Sequence, residues 1–139
     1  MNVYVDTSAL LGILFGEPRR LRIWSRITSA VASELIAVEC LRTIDRARIR
    51  LALPDSEVEL RRSMVLEAVE SFRLVPVGPS ILRRAAGAFP TPLGTLDAIH
   101  LASALWARVR VEDLSFATHD QELAAAARAL GFAVYGAPR

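Results

Sequence analysis

The chain has 139 residues, 53% hydrophobic and 23% charged, enough for one compact domain with its own core, expected to span residues 1–139. Seven Gly and seven Pro scattered along it exclude collagen-like and low-complexity classes, and the lone Cys40 cannot form an internal disulfide, which points to a reducing, cytoplasmic setting. The formal charge is only +2, but all 17 basic residues are arginine, so a lysine-dependent phosphate-binding loop and Schiff-base chemistry are excluded.

The first apolar run is split by Asp6, and the run near Trp106 is interrupted by Asp97, His100 and Arg108, so neither reaches the length of a membrane span. No cationic, apolar and small-residue succession marks a secretory leader at the start.

In chain order, Asn2–Val5 reads as a buried strand and Asp6-Thr7-Ser8 as a turn offering helix caps. Residues 9–15 follow as a short helix closed by Gly16, and Pro18 starts a second helix through Trp24. Residues 28–32 are a second strand. Ser33 is expected to cap a helix whose stripe Ile36, Cys40, Thr43 or Ile44, and Ala47 repeats at helical spacing and ends before Pro54. A helix from Asp55 or Ser56 toward Ser71, a strand at 73–77 and a helix opened by Pro79 come next. Residues 89–94, with two prolines and a glycine, are a loop. Residues 96–109 are the most hydrophobic helix, 114–118 a strand, 121–130 an alanine-rich helix stopped by Gly131, and 132–135 a last strand. Alternation of short β runs with helices, joined by right-handed crossovers, predicts an α/β fold. Its form is a three-layer α/β/α sandwich around a mainly parallel sheet.

Open parallel sheets carry their functional crevice beyond the carboxyl ends of the strands. Asp6 directly follows the first strand and Asp120 follows the fourth after His119, so both stand at that edge. Asp113 precedes the fourth strand and falls at the opposite edge. Asp97 lies in the first turn of the most hydrophobic helix, and Glu39 is placed mid-helix between Val38 and Cys40, where an acid is out of keeping with its neighbours. Glu34 lies about 140° around that helix from Glu39 at 100° per residue, so the two cannot share a site. Taken singly, Asp6 and Asp120 also read as helix caps and Asp97 as a first-turn charge.

If these acids converge, their repulsion demands a cation, and oxygen donors without a thiolate select a hard ion such as Mg²⁺ or Mn²⁺. Such an ion activates water and neutralises a phosphoryl oxygen, so phosphodiester hydrolysis is the natural chemistry. With these four acids set aside, the 17 arginines outweigh the remaining carboxylates, which suits a polyanionic substrate.

Four blocks now resemble the PIN-domain nucleases, and within them the VapC-type toxins of toxin–antitoxin pairs. They are V-Y-V-D-T-S-A-L at 3–10, S-E-L-I-A-V-E-C-L-R at 33–42, L-G-T-L-D-A-I-H-L-A-S-A-L at 93–105 and F-A-T-H-D-Q-E-L-A at 116–124. The resemblance covers nearly the whole chain. It implies Asp6, Glu39 and Asp97 as core metal-binding acids, Asp120 as a more variable fourth, Thr118 as an orienting neighbour, and Thr7 or Ser8 as a hydroxyl near the ion. It further implies RNA cleavage with Mg²⁺ or Mn²⁺, a homodimer, and neutralisation by a small cognate antitoxin. His119 departs from the usual pattern.

Other features have two readings. His100, three residues after Asp97, is either a neighbour of the site or a hydrogen-bonded core histidine. The apolar set Leu10, Leu11, Ile13, Leu14, Phe15, Leu21, Ile23 and Trp24 is either core or an antitoxin groove. The pairs Arg19/Arg20, Arg61/Arg62 and Arg83/Arg84 are either an RNA backbone surface or solvated helix faces. The alternative function is a non-catalytic RNA- or antitoxin-binding module. A small-molecule phosphohydrolase is disfavoured by the missing lysine.

Overall fold

The computed structural model of the protein describes residues 1–16 and 22–139. The helix expected to start at Pro18, the pair Arg19/Arg20 and Leu21 therefore lie wholly or partly outside the described residues.

Strand β1 (Asn2–Val5) leads through Asp6 into helix α1 (Thr7–Leu14). A short 3₁₀ turn at Trp24–Arg26 precedes β2 (Ser29–Ser33), followed by α2 (Ile36–Leu51), α3 (Asp55–Glu70), β3 (Arg73–Val75) and α4 (Pro79–Ala85). The chain ends with α5 (Thr95–Arg108), β4 (Ser115–Ala117), α6 (Gln121–Ala129) and β5 (Val134–Tyr135). The five strands form one all-parallel sheet in the order β3-β2-β1-β4-β5. The expected α/β/α sandwich is thus present, and the segment at 132–135 contributes a parallel edge strand.

Alternation along each strand builds the layers, because successive side chains point to opposite faces. Tyr4, Val31, Val75 and Phe116 face one core with Ile81 of α4, Leu101 of α5 and Leu123 of α6. Val3, Val5, Ala32 and Ala117 face the other with Leu10 of α1, Ile36, Cys40 and Ile44 of α2, and Val65 of α3. Of the described residues of the set read as core or groove, Leu10 is buried in this second layer and Leu11, Ile13, Leu14, Phe15, Ile23 and Trp24 pack partly buried against it. Gly131 (φ +94°) ends α6 in the left-handed region, as a helix-stopping glycine should.

Two local expectations fail. Ser33 is the last residue of β2, fully buried, and α2 begins only at Ile36; the Ser33 hydroxyl accepts from Leu35 N (3.2 Å), a turn contact mistaken for a cap. Glu39 accordingly sits in the first turn of α2 rather than mid-helix. Glu34 precedes the helix altogether, and its carboxylate accepts from Val77 N (2.8 Å), tying β2 to the segment after β3. Its separation from Glu39 holds for this reason and not for the helical angle.

Candidate active site

The strand order runs outward from β1 through β2 to β3, then returns to the other side of β1 for β4 and β5. The reversal falls between β1 and β4, where two neighbouring strands send their chains into helices on opposite faces and leave a crevice at their carboxyl ends. Asp6 leaves β1 at this point, its N–H still bonded to Ala117 O of β4 (3.1 Å).

Asp6 is held by neighbours in sequence and across the crevice. One carboxylate oxygen, Oδ1, accepts from Ser8 Oγ (2.8 Å) and Ala9 N (2.9 Å), capping α1; Oδ2 accepts from Thr118 Oγ1 (2.5 Å). The same Thr118 hydroxyl accepts from Asp120 N (3.0 Å), and Ser8 Oγ accepts from His119 N (3.0 Å). Thr118 and Ser8 thus lock the two strand ends together. Burial raises the Asp6 pKa, while the hydrogen bonds from Thr118, Ala9 and Ser8 oppose the shift.

Asp120 combines its two readings, since it caps α6 by accepting from Leu123 N (2.8 Å) and also lines the crevice. Asp97 projects from the first turn of α5, in the same helical layer as α6, and is half-buried. Its pKa is pushed up to about 6, first by burial and then by repulsion from Asp120 and Asp6. That repulsion follows from their common position on one crevice, which Asp6, Asp97 and Asp120 all line.

Glu39 reaches the crevice from α2 and is paired with His100 of α5, Nε2 to Oε1 at 2.7 Å. His100 Nδ1 lies 2.9 Å from Tyr4 Oη, which accepts from Ser33 N (3.0 Å). When the imidazole is neutral, Tyr4 Oη donates to Nδ1 and the Nε2–H is aimed at Glu39; when it is protonated, both ring nitrogens donate. Burial lowers the His100 pKa, but the bond and charge of Glu39 outweigh it and raise the net value. Tyr4 stacks on Phe116 (centroids 5.2 Å apart, 13° between planes), which fixes the base of the relay. Cys40, behind Glu39, is pushed up to about 12 by burial and is inert as a nucleophile.

Asp6, Thr7, Ser8, Glu39, Asp97 and Asp120 all line one cavity of about 570 Å³. Among the described residues, no three acidic, His or Cys side chains close into a ready-made metal cage. Asp6 is occupied by three donors and Glu39 is turned to His100, so the carboxylates ring the cavity rather than meeting at a point. This donor set still fits a hard divalent ion, because Mg²⁺ takes one or two carboxylates and keeps several waters. Thr7 Oγ1, buried on the cavity wall without a hydrogen-bond partner, offers a further polar atom to such a hydrated ion.

Sequence reasoning missed several members. Tyr4 gave no signal, because a tyrosine in a β run reads as core; His100, offered by its spacing from Asp97 as a neighbour of the site or a hydrogen-bonded core residue, is both. Among the described residues, the arginines of the cavity are Arg42 and Arg46 of α2; the pairs Arg61/Arg62 and Arg83/Arg84 do not line it. Arg61 instead bonds Glu57 (2.9 Å) and lies over Phe15, while Arg84 lies over Phe89 and bonds Ala88 O (3.0 Å). His119 turns away, its Nδ1 2.7 Å from Gly136 O. Gly136 has φ +98°, and a Cβ there would stand 2.6 Å from Thr118 O, so only glycine lets the C-terminal segment close over this strand end.

Residues 3–129 match the family model of the PIN domain. Ribonuclease VapC47 of Mycobacterium tuberculosis (strain CDC 1551 / Oshkosh) is 32% identical over 137 residues, covering 94% of this chain and 93% of that protein. Ribonuclease VapC46 of M. tuberculosis (strain ATCC 25618 / H37Rv) is 34% identical over 134 residues, covering 95% of each. Among solved structures, a toxin-antitoxin complex from Klebsiella pneumoniae aligns with TM-score 0.63 at 17% identity, covering 89% of this chain and 91% of that one. PAE2754 from Pyrobaculum aerophilum aligns with TM-score 0.62 at 20% identity, covering 90% of this chain and 84% of that one. With the fold, the order of its motifs and two full-length relatives all in agreement, the chain belongs to the PIN-domain family, alongside the VapC ribonucleases.

Proposed function

We propose that the protein is a metal-dependent endoribonuclease acting as the toxin of a toxin–antitoxin pair. The observation that carries this reading is the convergence of Asp6, Glu39, Asp97 and Asp120, from both helical layers, on one cavity at the sheet reversal, with the pKa of Asp97 raised to about 6. The names of the two ribonuclease relatives support the activity. The toxin-antitoxin complex among the fold neighbours is consistent with a small antitoxin partner.

In this reading Asp6, Glu39 and Asp97 hold a hard divalent ion, Mg²⁺ or Mn²⁺, and Asp120 helps to hold a second ion or orients the attacking water. When bound, the ion lowers the pKa of a water and neutralises charge on the phosphoryl oxygen. The chain's own residues do the positioning. Thr118 and Ser8 fix the Asp6 carboxylate, the His100–Tyr4 relay fixes Glu39, and Thr7 offers its hydroxyl to the water shell. Water attacks phosphorus in line, the P–O3′ bond breaks, and the products carry a 5′-phosphate and a 3′-hydroxyl. We assign the protein to the cytoplasm as a homodimer of single-domain chains.

Purified protein freed of antitoxin, incubated with a cellular RNA pool with and without Mg²⁺ or Mn²⁺, is expected to give discrete cuts that need the ion. The cuts should vanish in Asp6→Asn and Asp97→Asn. RNA binding without cleavage would instead establish a non-catalytic module, and 2′,3′-cyclic phosphate ends would overturn the stated bond polarity.

A further inference from the structure

The cavity that holds the acids does not end at them. Its wall continues along α2 through Thr43 and Arg46, and both residues also line a second cavity of about 510 Å³ with Ala47, Arg50 and Leu51. Arg42, Arg46 and Arg50 follow one another at four-residue intervals on one side of the helix, each step advancing about 6 Å along the axis at 1.5 Å per residue. That step is of the order of one nucleotide in an extended strand.

These arginines differ in their obligations. Arg42 is neutralised by Asp45 (3.0 Å), which also takes Arg48 (3.0 Å). Arg46 donates to Thr43 Oγ1 (3.2 Å), and among the described residues neither Arg46 nor Arg50 has a carboxylate partner. Both are exposed. Thr43 in turn makes a helical back-bond to the backbone Glu39 O one turn earlier (3.0 Å), and the row begins beside the acid rim because Thr43 lines both cavities. Two unpaired guanidiniums leading away from a ring of carboxylates form a charge gradient that a polyanion can follow only with its backbone at the arginine end. The two cavities have no Phe, Tyr or Trp in their walls, so stacking on bases is not provided and the grip is on phosphates.

We propose that Arg46 and Arg50 form a sequence-independent track for the phosphates of single-stranded RNA on one side of the cut, with Arg42 held back by Asp45. The proposal rests on the ribonuclease reading and adds where the strand lies. It also explains why the arginine pairs on α3 and α4, partly spent on Glu57 and Phe89, are not needed for it.

The test measures binding of fluorescein-labelled oligouridylates of two and eight residues to the full-length protein in EDTA, over a range of salt. The variants are the double Arg46→Gln/Arg50→Gln and a control double Arg62→Gln/Arg83→Gln. Wild type should bind the eight-residue strand more tightly than the two-residue strand. The Arg46/Arg50 double should lose that length advantage, roughly tenfold in Kd at low salt, and its slope of log K against log salt should shrink by about 0.7 for each phosphate no longer neutralised. The control should stay within twofold of wild type. An unchanged slope and length advantage in the Arg46/Arg50 double, in a protein that still cuts RNA, would overturn the track alone. A wild type that neither binds nor cuts RNA would overturn the ribonuclease reading beneath it. A twelve-residue polyglutamate peptide that outcompetes the oligonucleotide on wild type, and fails to bind the double, would make this face a protein-docking surface and also overturn the track.

Discussion

The two edges of the sheet carry similar residues and behave differently. At the amino edge, a cavity of about 380 Å³ is lined by Met1, Asn2, Thr28, Glu112, Asp113 and Ser115. Its acids are exposed, and its contacts are those of a closed corner, with the N-terminal ammonium on Arg26 O and Thr28 Oγ1 and Asn2 Nδ2 on Glu112 O. At the carboxyl edge the acids come from four different elements and from both helical layers, and burial forces their charges on one another. The lesson is that topology, not acid content, makes the site: only at the strand reversal do two helices leave neighbouring strands in opposite directions.

The largest effect that separates the edges is on turnover. Asp6→Asn or Asp97→Asn should cut RNA cleavage by on the order of a thousandfold, since each removes charge that offsets the ion, whereas Asp113→Asn should leave it unchanged; mapped RNA ends check both.

Next comes Tyr4→Phe. It keeps the stack on Phe116 but strips the hydroxyl that joins Ser33 N to His100. We expect cleavage and Mn²⁺ affinity to fall roughly tenfold, the scale for partners that orient a metal ligand, measured by isothermal titration with Mn²⁺ alone and by initial rates. Thr118→Val is nearly isosteric and should cost about 1–3 kcal/mol in urea unfolding, because it leaves Asp6 Oδ2 and Asp120 N without a partner.

The smallest effect has an unusual sign. Asp97 titrates near 6 in the fold against 3.8 for an unperturbed carboxyl, so the folded ion-free protein binds its proton more tightly than the unfolded chain. That contribution to stability is complete below about pH 4 and is lost as pH rises through 6. Asp97→Asn should therefore stabilise the ion-free protein at pH 7 by on the order of 1 kcal/mol, once the half-exposed position is discounted for solvent screening, while abolishing activity.

The sequence carried the architecture and most of the carboxylate rim because both are written locally. Strand runs, caps and the position of Asp6 and Asp120 just after their strands need only neighbours in the chain. Asp97 and Glu39 were legible from the mismatch between an acid and its apolar surroundings. The starting point of α2 was not, because Ser33 offers the same cap chemistry inside a strand end as at a helix start. The Tyr4–His100–Glu39 relay joins residues 96 and 61 apart in the chain, and such pairings have no periodic signature. The row Arg42, Arg46 and Arg50 was not singled out for a related reason: adjacent pairs stand out in a sequence, but a helix face is built from residues four apart.

The central claim is that the carboxyl-edge acids form one cation-requiring cluster. Thermal unfolding of wild type and Asp97→Asn between pH 4 and 8, with and without Mn²⁺, tests it most directly. Ion-free wild type should lose stability from pH 4 to 6, Mn²⁺ should restore it above pH 6, and Asp97→Asn should lack that loss and respond weakly to the ion. Equal Mn²⁺ stabilisation of both proteins, or none of wild type, would contradict it.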